Sequence, residues 1–179
     1  TSRGSHRLQN RVRRRLRRGF TTRTPMIKYL PGLTDVVLEE IPDRVTLAVE
    51  ITNCQGSCPG CHSPFLRRDI GEELTEEALD RMIEDNFGVN CLLFLGEGND
   101  PAALLRLASH LRRVWPGVEI ALYSGREDVE AEVKEAFDYV KIGPYVEELG
   151  PLNEKTTNQR LYHRGEDITS RFWRKDNNQ

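Results

Sequence analysis

The stretch RVTLAVEITNCQGSCPGC, residues 44–61, combines the clearest strand pattern of this chain with its most reactive side chains. Residues 44–51 mix alternating and continuous apolar positions, which predicts a largely buried β-strand. Residues 52–64 contain two prolines and two glycines, and this composition predicts a loop. Because α/β sheets bind ligands beyond the carboxyl ends of their strands, we expect a functional site in this loop.

Helix and strand patterns alternate downstream of this loop. We predict strands over residues 34–41, 44–51, 91–95, 118–123 and 139–142, and helices from Thr75 to Gly88, from Asp100 to Val114 and from Asp128 to Phe137. The buried faces of the first two helices should carry Leu79, Met82, Ile83 and Phe87, and Leu104, Leu107, Leu111 and Val114. Such alternation predicts an α/β fold with a mostly parallel sheet. A closed eight-unit barrel needs about 250 residues, so we expect a partial, open βα barrel.

Charge divides the chain into two parts. Residues 1–25 contain nine arginines and no acidic residue, so all 28 acidic residues belong to the remainder. We predict a disordered, Arg-rich leader over residues 1–25 and a single domain over residues 26–179. RGSH resembles a purification-tag junction, which favours a non-native leader; an RNA-binding arm and a transit peptide are the alternatives.

The acidic domain and the absence of long apolar runs limit the possible partners. An acidic surface repels phosphate backbones, so we expect no nucleic-acid partner for residues 26–179. No run of about 18 apolar residues is present, and the chain start lacks the apolar region of a signal peptide. We therefore expect a cytoplasmic protein without membrane association.

Three cysteines, Cys54, Cys58 and Cys61, have the spacing C-x3-C-x2-C. Disulfides explain this cluster poorly, because pairing leaves one thiol over. A structural zinc site needs four ligands, and His62 directly adjoins Cys61, which would strain a shared ion. Three thiolates suit an iron–sulfur cluster better, with zinc as the rival metal. The fourth cysteine, Cys91, has apolar neighbours and is predicted to be an inert core thiol.

The cysteine spacing after a buried strand resembles that of radical S-adenosylmethionine (SAM) enzymes. Further stretches resemble the activating proteins of anaerobic (class III) ribonucleoside-triphosphate reductases, namely CPGCHSPF (58–65), GPYVEEL (143–149), TTNQRLY (156–162) and DITSRFWRK (167–175). The resemblance covers roughly residues 29–175. It implies a [4Fe–4S] cluster on Cys54, Cys58 and Cys61, with the fourth iron chelated by SAM. It also implies reductive cleavage of SAM to methionine and a 5′-deoxyadenosyl radical, which takes a hydrogen from a glycine of the reductase.

The resemblance extends to residues that would contact SAM. The family's glycine-rich turn after the second strand corresponds here to Gly96, Glu97 and Gly98, although Glu97 separates the two glycines that are usually adjacent. Glycines at such a turn allow the backbone to approach a ligand closely. The resemblance also places Ser124, after the third strand, near the ribose or the carboxylate of SAM.

Residues beside the third cysteine are expected at the adenine. The resemblance implies that the backbone of Gly60, Cys61 and His62 meets the base, and an imidazole at His62 can stack on it. The alternative for the His62 side chain is an exposed loop histidine. Lys141, beside Gly143-Pro144, is predicted to be an ordinary surface or strand-end lysine, with contact to the cofactor as the alternative. The tail around residues 158–160 is expected to close the sheet edge or to contact the partner.

The same resemblance implies two protein partners. The glycyl radical subunit of an anaerobic ribonucleoside-triphosphate reductase would be the substrate, and a flavodoxin or ferredoxin would donate the electron. The alternatives are an activase of another glycyl radical enzyme, and a non-enzymatic zinc or iron–sulfur binding module.

Overall fold

The computed structural model describes residues 24–173, so the leader predicted over residues 1–25 lies almost wholly outside the described residues. The strands are β1 Lys28–Tyr29, β2 Asp35–Val37, β3 Thr46–Glu50, β4 Glu72–Glu73, β5 Cys91–Leu95, β6 Glu119–Tyr123, β7 Tyr139–Ile142, β8 Arg160–His163 and β9 Glu166–Asp167. The α-helices are α1 Glu76–Asp85, α2 Pro101–Val114 and α3 Ala131–Ala136. Short 3-10 helices cover Pro31–Leu33, Pro64–Arg67, Glu147–Leu149 and Thr169–Phe172. None of the helices in this range has the length and apolar character needed to cross a lipid bilayer.

Seven of the strands form one mixed sheet in the order β2-β3-β5-β6-β7-β8-β9. The four central strands, β3, β5, β6 and β7, are parallel to one another and lie where the sequence predicts strands. The outer strands β2, β8 and β9 pair antiparallel. Strand β8 thereby covers the edge of β7, as expected for the tail. Strands β1 and β4 form a separate antiparallel pair.

The predicted partial βα barrel with a mostly parallel sheet is wrong. Three of the six strand pairings in the sheet are antiparallel, and the described residues contain only three α-helices. The reason lies in the connections at both ends of the parallel centre. A turn over residues 38–45 joins β2 to β3, and residues 143–159 join β7 to β8 without an α-helix. Parallel pairing needs a crossover connection, so a chain that returns directly pairs antiparallel.

The two faces of the sheet are covered differently. All three helices pack on one face, where alternate strand residues such as Leu92 and Phe94 are fully buried. The opposite face, which carries Leu93, is covered by Ile41 and Ile168 from non-helical segments. Cys91 lies on this second face with no exposed surface, and burial raises the pKa of its thiol to about 12. Cys91 is therefore the inert core thiol that the sequence predicts.

Helix starts follow the predicted caps, whereas two predicted core residues are exposed. The side chains of Thr75 and Asp100 accept hydrogen bonds from the amides of Ala78 and Ala103 and cap α1 and α2. Phe87 and Val114 were predicted to be buried, but they are exposed. Phe87 lies beyond the last residue of α1, so helical spacing no longer determines which way it faces. Val114 is the final residue of α2. Helix α3 and strand β2 are both shorter than predicted.

We expect Phe94→Ala to destabilise the fold by about 3–5 kcal/mol, because it removes a fully buried ring and leaves a cavity. Phe87→Ala is the matched control, since it deletes the same atoms from an exposed position. Its effect should stay within about 0.5 kcal/mol. Urea unfolding of both variants measures the difference. Equal losses would contradict the burial pattern described above.

Candidate functional site

The carboxyl ends of the parallel strands form one aligned edge. Glu50, Leu95, Tyr123 and Lys141 are direct register neighbours across β3, β5, β6 and β7. The loops that follow these strands therefore begin side by side. They carry the cysteines, the Gly96–Gly98 turn, Ser124 and the segment that begins at Gly143.

The loop with the cysteines is held by the segment that follows it. The Thr52 hydroxyl donates a hydrogen bond to the Ile70 carbonyl oxygen at 2.8 Å. The Cys54 amide donates to the Leu66 carbonyl oxygen at 3.0 Å. The Arg67 guanidinium donates to the Cys58 carbonyl oxygen at 3.2 Å. These three bonds hold the loop backbone and do not involve the thiol groups.

The sulfur atoms of Cys54 and Cys58 face a common space. The Gly56 amide donates to Cys54 Sγ at 3.4 Å. A Cβ atom on Gly56 would lie 3.3 Å from Cys54 Sγ and 3.9 Å from Cys58 Sγ, and one on Gly125 would lie 3.5 Å from Cys58 Sγ. Glycine at both positions therefore leaves room around the two sulfurs.

This space belongs to a cavity of about 230 Å³ above the ends of β3, β5 and β6. Its lining includes the predicted site residues Cys54, Cys58, Gly96, Glu97 and Gly98. The structure thus brings five predicted residues from two distant segments to one place. A larger cavity of about 420 Å³ lies between α3 and β8, but it contains none of the predicted site residues.

The predicted adenine contacts lie to one side of this cavity. Gly60, Cys61 and His62 do not line it. The His62 ring packs against the Tyr145 ring with 4.9 Å between centroids, and a Cβ atom on Gly60 would lie 3.9 Å from the same tyrosine. Tyr145 therefore contacts the cysteine loop, which the sequence did not indicate. Its place in the GPYVEEL stretch was the only available signal.

The turn after β5 requires its two glycines. Gly96 and Gly98 have φ angles of 115° and 67°, in the region that favours glycine. A Cβ atom on Gly98 would lie 3.1 Å from Ile27 Cγ2 and 3.2 Å from Ile51 Cγ2. The turn therefore packs closely on the end of β3, where the cysteine loop begins.

Glu97 and Ser124 are joined by a hydrogen bond and share a third partner. Ser124 is buried, and its hydroxyl donates to Glu97 Oε2 at 2.5 Å. Arg126 Nε lies 3.6 Å from the same oxygen, and the Arg126 guanidinium also binds Glu130. The sequence analysis missed Arg126 and Glu130, because polar residues after a strand resemble ordinary turn residues. The position of Arg126 directly after Ser124-Gly125 could have indicated it.

Lys141 is placed differently from an ordinary strand-end lysine. Its ammonium lies over the Tyr123 ring, 5.1 Å from the centroid. Burial lowers the pKa of Lys141 to about 8, although the charges of Glu40 and Cys58 act in the opposite direction.

The donor set suits an iron–sulfur cluster, but the three sulfurs are not gathered at one point. Cys54 and Cys58 border the cavity, and Cys61 follows in a turn closed by its amide and the Cys58 carbonyl oxygen at 3.3 Å. Within residues 24–173, no group of three or more His, Cys, Asp or Glu side chains has the arrangement of a metal site. A cluster held by all three thiolates would need this turn to move.

Comparison with known proteins identifies no relative of this chain. No family model, no curated protein and no solved structure matches the chain.

We expect Gly98→Ala to destabilise the protein by about 1–3 kcal/mol, because alanine is strained at this φ and its Cβ crowds Ile27 and Ile51. Gly117→Ala is the matched control, since no atom lies within 4 Å of its added Cβ. It should change stability by less than about 0.5 kcal/mol. Thermal unfolding of both variants measures the effect. A neutral Gly98→Ala would show that the turn is looser than described.

Proposed function

We propose that this chain is a radical SAM activating enzyme that generates a glycyl radical on an anaerobic ribonucleoside-triphosphate reductase. The observation that supports this most is the shared cavity, in which Cys54 and Cys58 face the Gly96–Gly98 turn. The resemblance assigns these two segments to the cluster and to SAM respectively. Their side-by-side position is what a reaction between a cluster and SAM requires.

The cysteine loop would hold the cluster. Cys54, Cys58 and Cys61 supply three thiolates and leave one iron without a protein ligand, which SAM would occupy. When bound, the cluster supplies the electron for reductive cleavage of SAM. The Gly56 amide donates a hydrogen bond to Cys54 Sγ, which helps to orient this sulfur.

The remaining residues would bind and orient SAM. Gly96 and Gly98 offer backbone without side chains at the cavity wall, which would allow close approach of the amino acid part of SAM. Ser124 fixes the orientation of the Glu97 carboxylate through its 2.5 Å hydrogen bond. The side of the cysteine loop with Gly60, Cys61 and His62 would contact the adenine. The role of these residues is to hold the reactants together and to exclude water.

The proposal includes its partners and setting. The protein substrate is the glycyl radical subunit of the reductase, and a flavodoxin or ferredoxin donates the electron. An anaerobic, cytoplasmic setting fits a radical reaction at an open cavity. A non-enzymatic zinc or iron–sulfur module remains the second candidate, because Cys61 stands apart from the cavity that Cys54 and Cys58 share.

We expect anaerobic reconstitution with iron and sulfide to load about four iron ions per chain, with visible absorbance. Cys58→Ser should lose most of this iron because it removes a ligand. Cys91→Ala is the control, since Cys91 is buried in the core away from the loop. It should load normally. Iron counting and absorbance spectra give the readout.

The reaction is checked on the same samples with dithionite and SAM. The loaded wild type should form 5′-deoxyadenosine, and Cys58→Ser should not. Unchanged iron in Cys58→Ser would overturn the ligand assignment. One zinc per chain without SAM cleavage would support the non-enzymatic module. Cleavage without radical formation on the reductase would point to a different glycyl radical enzyme.

A further inference from the structure

Three charged side chains line the cavity proposed for SAM. They are Glu97 from the turn after β5, Arg126 from the loop after β6 and Glu130 from the start of α3. Arg126 lies between the two carboxylates. Its Nη1 and Nη2 donate to Glu130 Oε1 and Oε2 at 3.1 and 2.7 Å, and its Nε lies 3.6 Å from Glu97 Oε2. The two parallel bonds to Glu130 form the bidentate geometry that fixes a guanidinium most firmly.

The position of Arg126 is further determined by the buried Ser124. The Ser124 hydroxyl accepts a hydrogen bond from the Arg126 amide at 3.1 Å and donates to Glu97 at 2.5 Å. The Arg126 carbonyl oxygen accepts a bond from the Gly143 amide. The backbone and the side chain of Arg126 are thus both held. Arg126 is therefore held beside both carboxylates, although its side chain is 48% exposed and that of Glu130 is 65% exposed.

This arrangement leaves the cavity wall with one net negative charge. Two carboxylates are present, and a single guanidinium offsets only one of them. The Glu97 side chain is 21% exposed, so its charge is less screened by solvent than a surface charge would be. The wall should therefore favour a cationic ligand over a neutral one of the same shape.

SAM and S-adenosylhomocysteine differ in this property. SAM carries a sulfonium cation, whereas S-adenosylhomocysteine has lost one methyl group and has a neutral thioether at the same place. The amino, carboxylate and nucleoside groups are identical. The ratio of the two affinities therefore reports a preference that depends on the charge of the wall. The contributions of the groups that both ligands share cancel in this ratio.

We propose that Arg126 is a positioning residue that sets the charge of this wall, and thereby the preference of the cavity for a sulfonium over a neutral thioether. This inference rests on the proposed function, because it assumes that the nucleoside binds between the cysteine loop and the Gly96–Gly98 turn. Arg126 acts by holding its positive charge 3.6 Å from the Glu97 carboxylate, which Ser124 orients, and so offsets one of the two negative charges. Because Arg126 offsets one of the two negative charges, the preference for SAM over S-adenosylhomocysteine stays moderate. Removing Arg126 should therefore strengthen that preference.

Isothermal titration of the reconstituted protein under anaerobic conditions, with SAM and with S-adenosylhomocysteine, tests this proposal. Arg126→Gln leaves both carboxylates uncompensated and should raise the preference for SAM by about threefold to tenfold. Arg126→Lys retains the charge and should keep the ratio within about twofold. Glu97→Gln retains an acceptor for Ser124 but loses the charge, and should lower the preference by a similar factor.

A distant arginine supplies the matched control. Arg81 is exposed on α1 and does not line the cavity, so Arg81→Gln should leave the ratio of affinities unchanged. Thermal unfolding of each variant shows whether it is folded. If Arg126→Gln fails to fold, Glu97→Gln decides the question, and a ratio that does not fall would overturn the proposal.

The outcomes separate this inference from the proposed function. If both ligands bind and the ratio is the same in Arg126→Gln as in the wild type, Arg126 has only a structural role and the proposed function stands. If the loaded wild type binds neither ligand, the proposed function fails and the charge preference fails with it. A rise in Arg126→Gln, a fall in Glu97→Gln and no change in Arg126→Lys together support the assignment.

Discussion

The parallel alignment of four strands is the constraint on which the candidate site depends. Parallel neighbours place all their carboxyl ends at one edge of the sheet. In this chain the aligned row runs from Glu50 in β3 to Lys141 in β7. The loops that start from this row are far apart in the sequence. The parallel alignment of the strands is what brings the cysteines, the Gly96–Gly98 turn and Arg126 together. An antiparallel sheet of the same strands would send half of these loops to the opposite edge.

Glycine positions determine how close these loops come to one another. Gly98 lets the turn after β5 lie against Ile27 and Ile51, and Gly56 and Gly125 leave space beside the sulfurs of Cys54 and Cys58. A side chain at any of these positions would enter the space between the loops. The absence of side chains at these glycines therefore helps to keep the cavity open. Its charge comes from longer side chains at its rim, where Arg126 joins Glu97 to Glu130.

Local signals in the sequence predicted the parallel centre and the helix caps, because these depend on residues within one element. The caps at Thr75 and Asp100 and the buried strand over residues 91–95 are of this kind. The architecture could not be predicted in the same way. Whether the chain crosses over or turns back after β7 depends on the tertiary packing of residues 143–159. These residues contain no α-helix, and their sequence has no periodic pattern from which the return of the chain could be predicted. The burial of Phe87 was predicted wrongly for a related reason, since spacing has no meaning beyond the end of a helix.

The candidate site shows the same division between local and tertiary information. Cysteine spacing identified Cys54 and Cys58 directly, whereas Arg126 and Tyr145 acquire their place only through the fold. Two of the stretches that carry the resemblance, residues 58–65 and 143–149, are widely separated in the sequence but contact each other in the fold. Asn158 donates to the Pro144 carbonyl oxygen at 2.9 Å, and Tyr145 packs on His62. The segment after β7 therefore packs against the cysteine loop beside Cys61.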